Sequence, residues 1–175
     1  VAFLGFASQA MAADVTWDRL LNAQNDDANW MMYHKDFTGH HHSGLKQINT
    51  RNVKNLKLAW QHNPAATKRG IQGFPLAVDG MVYYTTTSGT IWALNGATGQ
   101  PVWHHAAKID VERAEGTFYN PYNRGLAIGH GNVYMGTTDG RLIALNAKSG
   151  EVVWDNEIMT VAKGNKGFTG APVIV

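Results

Sequence analysis

The chain has 175 residues, of which 44% are hydrophobic, and it contains 19 glycines and 5 prolines, a composition typical of a turn-rich globular protein. Fifteen lysines and arginines against thirteen aspartates and glutamates leave a formal charge of +2 without a basic run, which argues against nucleic-acid binding. No cysteine is present, which excludes a disulfide framework and a thiolate metal site.

The first twelve residues are uncharged and largely apolar, and they end in Ala10-Met11-Ala12. This is the pattern of the hydrophobic region and cleavage site of a secretory signal peptide, with a buried strand as the alternative. Because the chain opens with valine and stops within an apolar strand pattern, we expect a piece of a larger periplasmic protein. Residues 1–12 would be the remnant of its signal peptide. No later segment reaches the ~18 consecutive apolar residues of a membrane-spanning helix.

Residues 13–60 are predicted to form a lead-in segment that ends in a first strand. Its short apolar runs and capping residues predict short elements joined by an irregular segment. The expected elements are, in chain order, a helix over 14–28 capped by Asp14 or Thr16, an irregular segment over 29–47, a helix over 49–56 capped by Thr50, and a strand over 56–60.

Residues 61–175 are dominated by a repeat. Segment 93–103, ALNGATGQPVW, returns 51 residues later as segment 144–154, ALNAKSGEVVW. Short β-branched and aromatic runs alternate with Asp-Gly and Ser-Gly hairpin signals around both copies. In the first copy these signals predict strands over 75–78, 81–86, 90–94 and 101–103. Four short strands in a repeat of this length predict an all-β chain built of propeller blades.

Each repeat ends in a glycine followed four residues later by a tryptophan. The glycines, Gly99 and Gly150, suit a backbone conformation that side chains disfavour. The tryptophans offer a large apolar face with one N–H group, which suits packing between blades. We therefore interpret Trp103, Trp154 and the related Trp60 as structural residues. The connection over 106–124 is longer and less regular, and such loops often carry function.

The repeated units resemble the tryptophan-docking motifs of the pyrroloquinoline quinone (PQQ) dehydrogenases, the methanol and ethanol dehydrogenase family of eight-bladed propellers. Three other segments resemble the same family: the lead-in over 29–60, Asn123-Arg124-Gly125, and Thr169-Gly170-Ala171-Pro172. The resemblance implies that residues 61–175 are the first blades of an incomplete eight-bladed β-propeller, preceded by a short helical lead-in.

The resemblance also implies a set of PQQ-binding residues. Arg124 and Thr169 correspond to an arginine and a threonine that contact the cofactor in the family. Gln72 stands where the family usually has glutamate. Phe118 and Tyr119 stand where many members carry an adjacent-cysteine disulfide ring over PQQ, and we hypothesise that an aromatic face replaces it. PQQ carries three carboxylates and an ortho-quinone, which suit the fork of donors on arginine.

The function implied by the resemblance is the oxidation of a small alcohol in the periplasm, with hydride transfer to PQQ and electrons passed to a cytochrome c. The catalytic aspartate and the ligands of the calcium or lanthanide ion are expected beyond residue 175, so the fragment alone is expected to be inactive. The alternative is a cofactor-free periplasmic propeller scaffold of the type that assists outer-membrane protein assembly.

Three other clusters of polar residues favour solvated segments over sites. His40, His41 and His42 are consecutive, and consecutive side chains on an extended segment point to opposite sides, which disfavours a shared metal ion. The pair His104-His105 is interpreted in the same way. The acidic residues of the long connection, Asp110, Glu112 and Glu115, are interpreted as a solvated face rather than an acid–base pair.

Overall fold

The structure is a computed structural model, and it describes residues 14–64, 70–87, 89–110, 122–159 and 167–175. The helical elements are α1 (Trp17–Leu21) and two 3₁₀ turns, Ala23–Asn25 and Val53–Asn55. The strands are β1 (Leu76–Val78), β2 (Met81–Thr85), β3 (Thr90–Asn95), β4 (Pro101–Ala106), β5 (Ala127–Gly129), β6 (Asn132–Gly136), β7 (Arg141–Asn146) and β8 (Val152–Glu157).

The strands form two four-stranded antiparallel sheets, β1-β2-β3-β4 and β5-β6-β7-β8, which we call the first and second sheets. Their registers match at the repeat distance, since Val82 opposes Leu94 in the first sheet and Val133 opposes Leu145 in the second. Each sheet also has a register shift at the same point of its last hairpin. The prediction of an all-β chain with four strands per repeat is confirmed.

The turns of the repeat follow from glycines in the left-handed region. Gly80, which joins β1 to β2, has a φ of +79°, and Gly131, which joins β5 to β6, has a φ of +74°. Residues with a Cβ disfavour this conformation, so the two positions act as hairpin signals. The alternating burial along β2 shows that one face of the first sheet points into the core.

The main core lies between the two sheets. Tyr83 of β2 is fully buried, and its hydroxyl donates to the carbonyl of Ala147 beyond β7, 3.1 Å away. Burial raises the pKa of this tyrosine well above its usual range. The other buried apolar residues of this cluster include Leu76, Val78, Met81, Ile91, Ala93, Ile128, Val133, Met135, Ile143 and Leu145.

Tryptophans join successive units through one repeated contact. The indole of Trp103 lies over Gly150, and its N–H donates to the Ala147 carbonyl at 3.0 Å. The indole of Trp60 lies over Gly99, and its N–H donates to the Gly96 carbonyl at 2.9 Å. Both tryptophans therefore make the same pair of contacts, with a glycine and with the carbonyl three residues before it.

The lead-in packs along the first strand of each sheet, β1 and β5, which we call the inner strands. Trp30 and Ala77 of β1 exchange two backbone hydrogen bonds, and the backbone N–H of His130 donates to the carbonyl of Val15. Arg19 of α1 donates two hydrogen bonds of 3.0 Å to the carboxylate of Asp79 in the β1–β2 turn. These contacts place the lead-in against the first strand of each sheet.

A buried lysine holds the lead-in together. Lys35 is 2% exposed, and its ammonium donates to the carbonyls of Ala23 and Asp26, each 2.8 Å away. These carbonyls belong to the first residue of the 3₁₀ turn after α1 and to the residue that follows it, and each also accepts one backbone N–H, so Lys35 adds a second donor to both. Lys35 therefore closes that turn against the following segment.

Three sequence predictions for the lead-in need correction. The helix expected over 14–28 is limited to α1 and the adjacent 3₁₀ turn, with Thr16 as its cap. The helix expected over 49–56 is a single 3₁₀ turn preceded by Asn52, not capped by Thr50. The strand expected over 56–60 is wrong because an extended segment needs a hydrogen-bonding neighbour, and the described residues provide none beside it.

Two further findings concern the extent of the strands and helices. The last strand of each sheet runs three residues past its tryptophan, to Ala106 and to Glu157, so both are longer than the motif predicted. Among the described residues, no helix is long and apolar enough to cross a bilayer. The proposed signal-peptide remnant over 1–12 lies outside the described residues.

Candidate functional site

Three of the predicted site residues lie beside one another at the entrances to inner strands. The backbone N–H of Phe74 donates to the carbonyl of Arg124 at 3.1 Å, and the N–H of Arg124 donates to the carbonyl of Thr169 at 2.9 Å. Phe74 and Gly125 also form a parallel bridge. Gln72 lies two residues before Phe74, so chain segments far apart in sequence place Gln72, Arg124 and Thr169 along one edge.

Two of the three candidate side chains at this edge are exposed. Gln72 and Arg124 are exposed, and Thr169 is half-buried. Gly170, next to Thr169, has open space on the side where other residues carry a Cβ. The edge thus carries a guanidinium and an amide on exposed residues and a hydroxyl on a half-buried one, and these are groups that bind carboxylate and carbonyl oxygens.

A buried hydroxyl without a partner lies next to the same edge. The Thr85 hydroxyl is buried and has no hydrogen-bond partner among the described residues. It approaches Gly73, where an added Cβ would lie 2.6 Å from that oxygen. Buried polar groups are almost always paired, so an unpaired one marks a place where a polar ligand group is a suitable complement.

Asn123 supports the edge from inside, and the sequence predictions assigned it no role. It is 3% exposed, its amide N–H donates to the Gly136 carbonyl, and its amide oxygen accepts from the Gly125 N–H, both at 2.9 Å. The signal available in the sequence was its position immediately before Arg124, in the repeat position of Gln72.

A charged cluster holds the start of the long connection. Arg141 of β7 pairs with Asp139 at 3.0 Å and with Asp155 at 2.5 Å, and it also donates to the Lys108 carbonyl. Asp139 accepts hydrogen bonds from the Thr137 hydroxyl and from the backbone N–H of Asp110. Burial alone would raise the pKa of Asp139, but the hydrogen bonds from Arg141 and Thr137 outweigh it and hold that pKa below its usual range.

The remaining predicted candidates fall into two groups. Phe118 and Tyr119, with Glu112 and Glu115, lie outside the described residues. Asp110 is exposed, as expected for a solvated face.

Histidines of the lead-in pair without forming a larger cluster. His34 Nδ1 and His41 Nε2 lie 2.5 Å apart, and His40 contacts the Thr38 hydroxyl. Within the described part of the chain, no three His, Cys, Asp or Glu side chains converge on a position suited to a metal ion.

A cavity of about 130 Å³ lies between the lead-in and the inner strands. Its lining is mainly apolar and includes Met31, Phe37, Leu126 and Ile174. Gln72, Arg124 and Thr169 do not line it. The polar edge, rather than this cavity, is therefore the candidate site for a ligand that carries carboxylates.

Comparison with known proteins places these features in a family context. Residues 30–157 match the PQQ family described as the β-propeller domain of glucose, ethanol and alcohol dehydrogenases. The chain is 40% identical over 153 residues to the dehydrogenase subunit of a quinone-dependent alcohol dehydrogenase from Gluconacetobacter polyoxogenes. That match covers 86% of this chain and 21% of the relative, so the chain spans about a fifth of its length.

Solved structures give the same result. The quinohemoprotein alcohol dehydrogenase ADHIIG of Pseudomonas putida superposes with a TM-score of 0.87 at 34% identity, over 93% of this chain and 24% of that one. A europium-containing methanol dehydrogenase superposes with a TM-score of 0.82 at 32% identity, over 90% of this chain and 28% of that one.

Proposed function

The chain belongs to the PQQ family of glucose, ethanol and alcohol dehydrogenase β-propellers, and from this premise we propose that it is part of a quinoprotein that oxidises a small alcohol. The observation that carries the proposal is the backbone tie between Phe74, Arg124 and Thr169. It links Arg124 to Thr169 and to the segment that carries Gln72, which supports the three residues as candidate PQQ contacts.

The residues at this edge fit the chemistry of PQQ. The Arg124 guanidinium would pair with a carboxylate or quinone oxygen, because its planar fork of N–H donors matches such acceptors. The Thr169 hydroxyl and the Gln72 amide would donate to neighbouring oxygens. Gln72 retains hydrogen-bonding capacity without the negative charge of glutamate, so it adds no repulsion toward the carboxylates of the cofactor.

PQQ, when bound, supplies the chemistry by accepting a hydride from the alcohol. The residues of this chain bind and orient it, and they form one wall of the site. We place the base that removes the alcohol proton, and the ligands of a calcium or lanthanide ion, in the part of the protein beyond residue 175. A cytochrome c is the proposed electron acceptor, and the periplasm the proposed location. The europium in a related methanol dehydrogenase supports an ion of this class.

We further propose that the two sheets are blades of an eight-bladed propeller whose neighbours dock through tryptophans. Trp60 contacts the first sheet as Trp103 contacts the second, over a glycine and a carbonyl at corresponding positions. Relative to the first sheet, Trp60 thus occupies the place of a tryptophan from a preceding blade. The exposed Leu56 and Leu58 beside it would then be covered by the strands that complete that blade.

The proposal is tested on the whole protein by dye-linked alcohol oxidation, with PQQ and with calcium or a lanthanide each added and omitted. We expect activity only when both are present. PQQ uptake is followed separately by absorbance. Arg124→Ala should weaken uptake at least 10-fold, since charge-assisted hydrogen bonds are each worth roughly 1.5–3 kcal/mol, whereas Arg51→Ala in the exposed lead-in should leave it unchanged.

The outcomes separate the two candidate functions. If the protein takes up no PQQ and oxidises no alcohol, the cofactor-free scaffold is the better description. If it takes up PQQ with equal affinity after Arg124→Ala, the enzyme class stands and the assignment of this residue is wrong.

A further inference from the structure

We propose that Asn123 is a positioning residue that fixes the Arg124 turn against Thr169 before PQQ binds. The inference rests on the proposed function, because the group that Arg124 would hold is PQQ. Asn123 is only 3% exposed, so its side chain cannot contact a ligand at the edge directly. It acts through the backbone on both sides of Arg124.

The side-chain amide of Asn123 links the Arg124 turn to the end of β6. Its oxygen accepts from the Gly125 N–H, which closes a short turn around Arg124, and its nitrogen donates to the Gly136 carbonyl at the end of β6. Both bonds measure 2.9 Å, in the optimal range. Gly125 adopts a φ of +139°, which is accessible to glycine and strained for other residues, so the turn depends on this particular pair.

The two hydrogen bonds of the Asn123 amide, which we call the clamp, belong to a ring of hydrogen bonds that also includes Thr169. Thr137, the residue after Gly136, accepts at its carbonyl from the Phe168 N–H at 2.8 Å. Phe168 also packs on Gly136, where an added Cβ would lie 2.5 Å from the Phe168 Cβ. Thr169 then accepts from the Arg124 N–H at 2.9 Å. Arg124 and Thr169 are therefore held in a fixed relation by a closed ring of hydrogen bonds that includes Asn123.

The first sheet shows that the clamp is not a requirement of the repeat. Gln72 occupies the same repeat position 51 residues earlier, and it is exposed. The strand that follows it, β1, nevertheless pairs with β2 in the register that β5 and β6 adopt. A buried amide at this position is thus dispensable for forming the inner hairpin, and in the second sheet it accompanies the arginine that faces the candidate site.

The consequence of the clamp is preorganisation. An unclamped Arg124 turn samples several conformations, and the cofactor must then order it on binding, which lowers affinity. A clamped turn presents the guanidinium from a fixed backbone. Loss of Asn123 should therefore weaken PQQ binding about 10-fold, the effect expected when one or two neutral hydrogen bonds no longer preorganise a site.

The test is a double-mutant cycle on the whole protein, with the dissociation constant for PQQ measured by equilibrium fluorescence titration. The variants are Asn123→Ala, Arg124→Ala and the double variant. A positioning role predicts that Asn123→Ala weakens binding about 10-fold when Arg124 is present and less than 2-fold when it is absent. The matched control is Asn132→Ala, which removes an amide from the same sheet at its opposite end and should not change the dissociation constant.

The possible outcomes are distinct. Equal weakening by Asn123→Ala in both backgrounds would overturn the positioning role in favour of a general effect on folding. An unchanged dissociation constant for Asn123→Ala would overturn it as well. If the wild-type protein takes up no PQQ, the proposed function fails first and this inference fails with it. Should Asn123→Ala not fold, Asn123→Ser replaces it in the cycle, because its neutral hydroxyl can still accept from Gly125 but is too short to replace the bond to Gly136.

Discussion

The two sheets can be compared end by end, because each residue of the first has a counterpart 51 positions later. At the end that packs against a tryptophan, which we call the docking end, the two sheets agree in detail. Asn95 and Asn146 each accept two backbone N–H bonds of 2.9–3.1 Å within their turns. Gly99 and Gly150 adopt φ values of +71° and +74°, and each lies beneath a tryptophan.

At the opposite end, the same backbone carries different side chains. Thr86 and Thr137 each make the corresponding backbone bond to the next strand, at 2.9 Å in both sheets. Gln72 and Gly73 of the first sheet, however, correspond to Asn123 and Arg124 of the second. The buried Asp139 has Ser88 as its counterpart in sequence.

The difference separates two kinds of constraint within one repeat. The docking end contacts a tryptophan in the same way in both sheets, so its residues recur. Under the proposed function, the other end contributes a different wall of one site in each unit, so its residues diverge although the backbone does not. Divergence at matched positions therefore identifies candidate functional residues without reference to any other protein.

The largest expected effect tests the docking end. Gly150→Ala should destabilise the protein by roughly 2–5 kcal/mol, because a left-handed φ costs about 1–2 kcal/mol and overpacking about 1–3 more. The added Cβ would lie 2.6 Å from the Trp103 ring. Gly131 has the same φ of +74° with open space around it, so Gly131→Ala isolates the backbone contribution. Urea unfolding of the whole protein, followed by tryptophan fluorescence, measures both; equal losses would show that the tryptophan contact is unimportant.

The next effect tests the divergent end. Asp139 and Asp155 pair with the same Arg141, but Asp139 is 1% exposed and Asp155 is 33% exposed. We expect Asp139→Asn to cost about 1.5–3 kcal/mol, typical of a hydrogen bond to a charged group. Asp155→Asn should cost less than about 1 kcal/mol, as for most accessible ion pairs. Chemical denaturation at pH 7 compares them, and a larger loss for Asp155 would contradict the assignment of Asp139 as the main partner.

Much of this fold was predictable because the same pattern of strands and turns occurs in both copies of the repeat. The turns at Gly80 and Gly131, the four strands per unit and the packing of Trp103 all follow from local patterns. The strand over 56–60 was wrongly predicted because alternation in sequence reports a propensity, whereas a strand also needs a partner. The candidate site residues Gln72, Arg124 and Thr169 could be named only from the resemblance, and their role stays a prediction.

The contacts that support the site could not be predicted from local sequence. Asn123 reaches Gly136 across 13 residues, and Arg141 reaches Lys108 across 33. No periodicity or spacing connects these partners, and their association depends on how the sheet brings β6 and β7 beside the long connection. Polar clamps of this kind become visible only when the fold positions their partners.

A smaller effect tests directly whether the docking ends of the two sheets contribute equally to stability. Asn95→Ala and Asn146→Ala each remove an acceptor for two backbone N–H groups, and we expect each to cost about 1 kcal/mol. Because the two geometries agree, the two losses should match within about 0.5 kcal/mol, which is the usual scatter for independent sites. Thermal unfolding of both variants measures them side by side. A difference well beyond that scatter would show that the two units are less equivalent than their hydrogen bonds indicate.

The smallest effect concerns a titrating residue that distinguishes the sheets. His105 of β4 corresponds to Asn156 of β8, so the first sheet has an ionisable group where the second has an amide. Burial lowers the pKa of His105, with Arg141 and His104 adding to the effect and Asp155 opposing it. Folding therefore favours the neutral ring. Its contribution to stability is complete above the ordinary pKa of 6.5 and decreases as the pH falls from there through the lowered folded-state value.

His105→Asn gives the first sheet the residue of the second, and it should reduce the loss of unfolding free energy between pH 7 and pH 5. Urea titrations of wild type and variant at matched pH values provide the difference curve. If the two curves stay parallel over that range, the burial of His105 has no energetic consequence and the sheets do not differ in this respect.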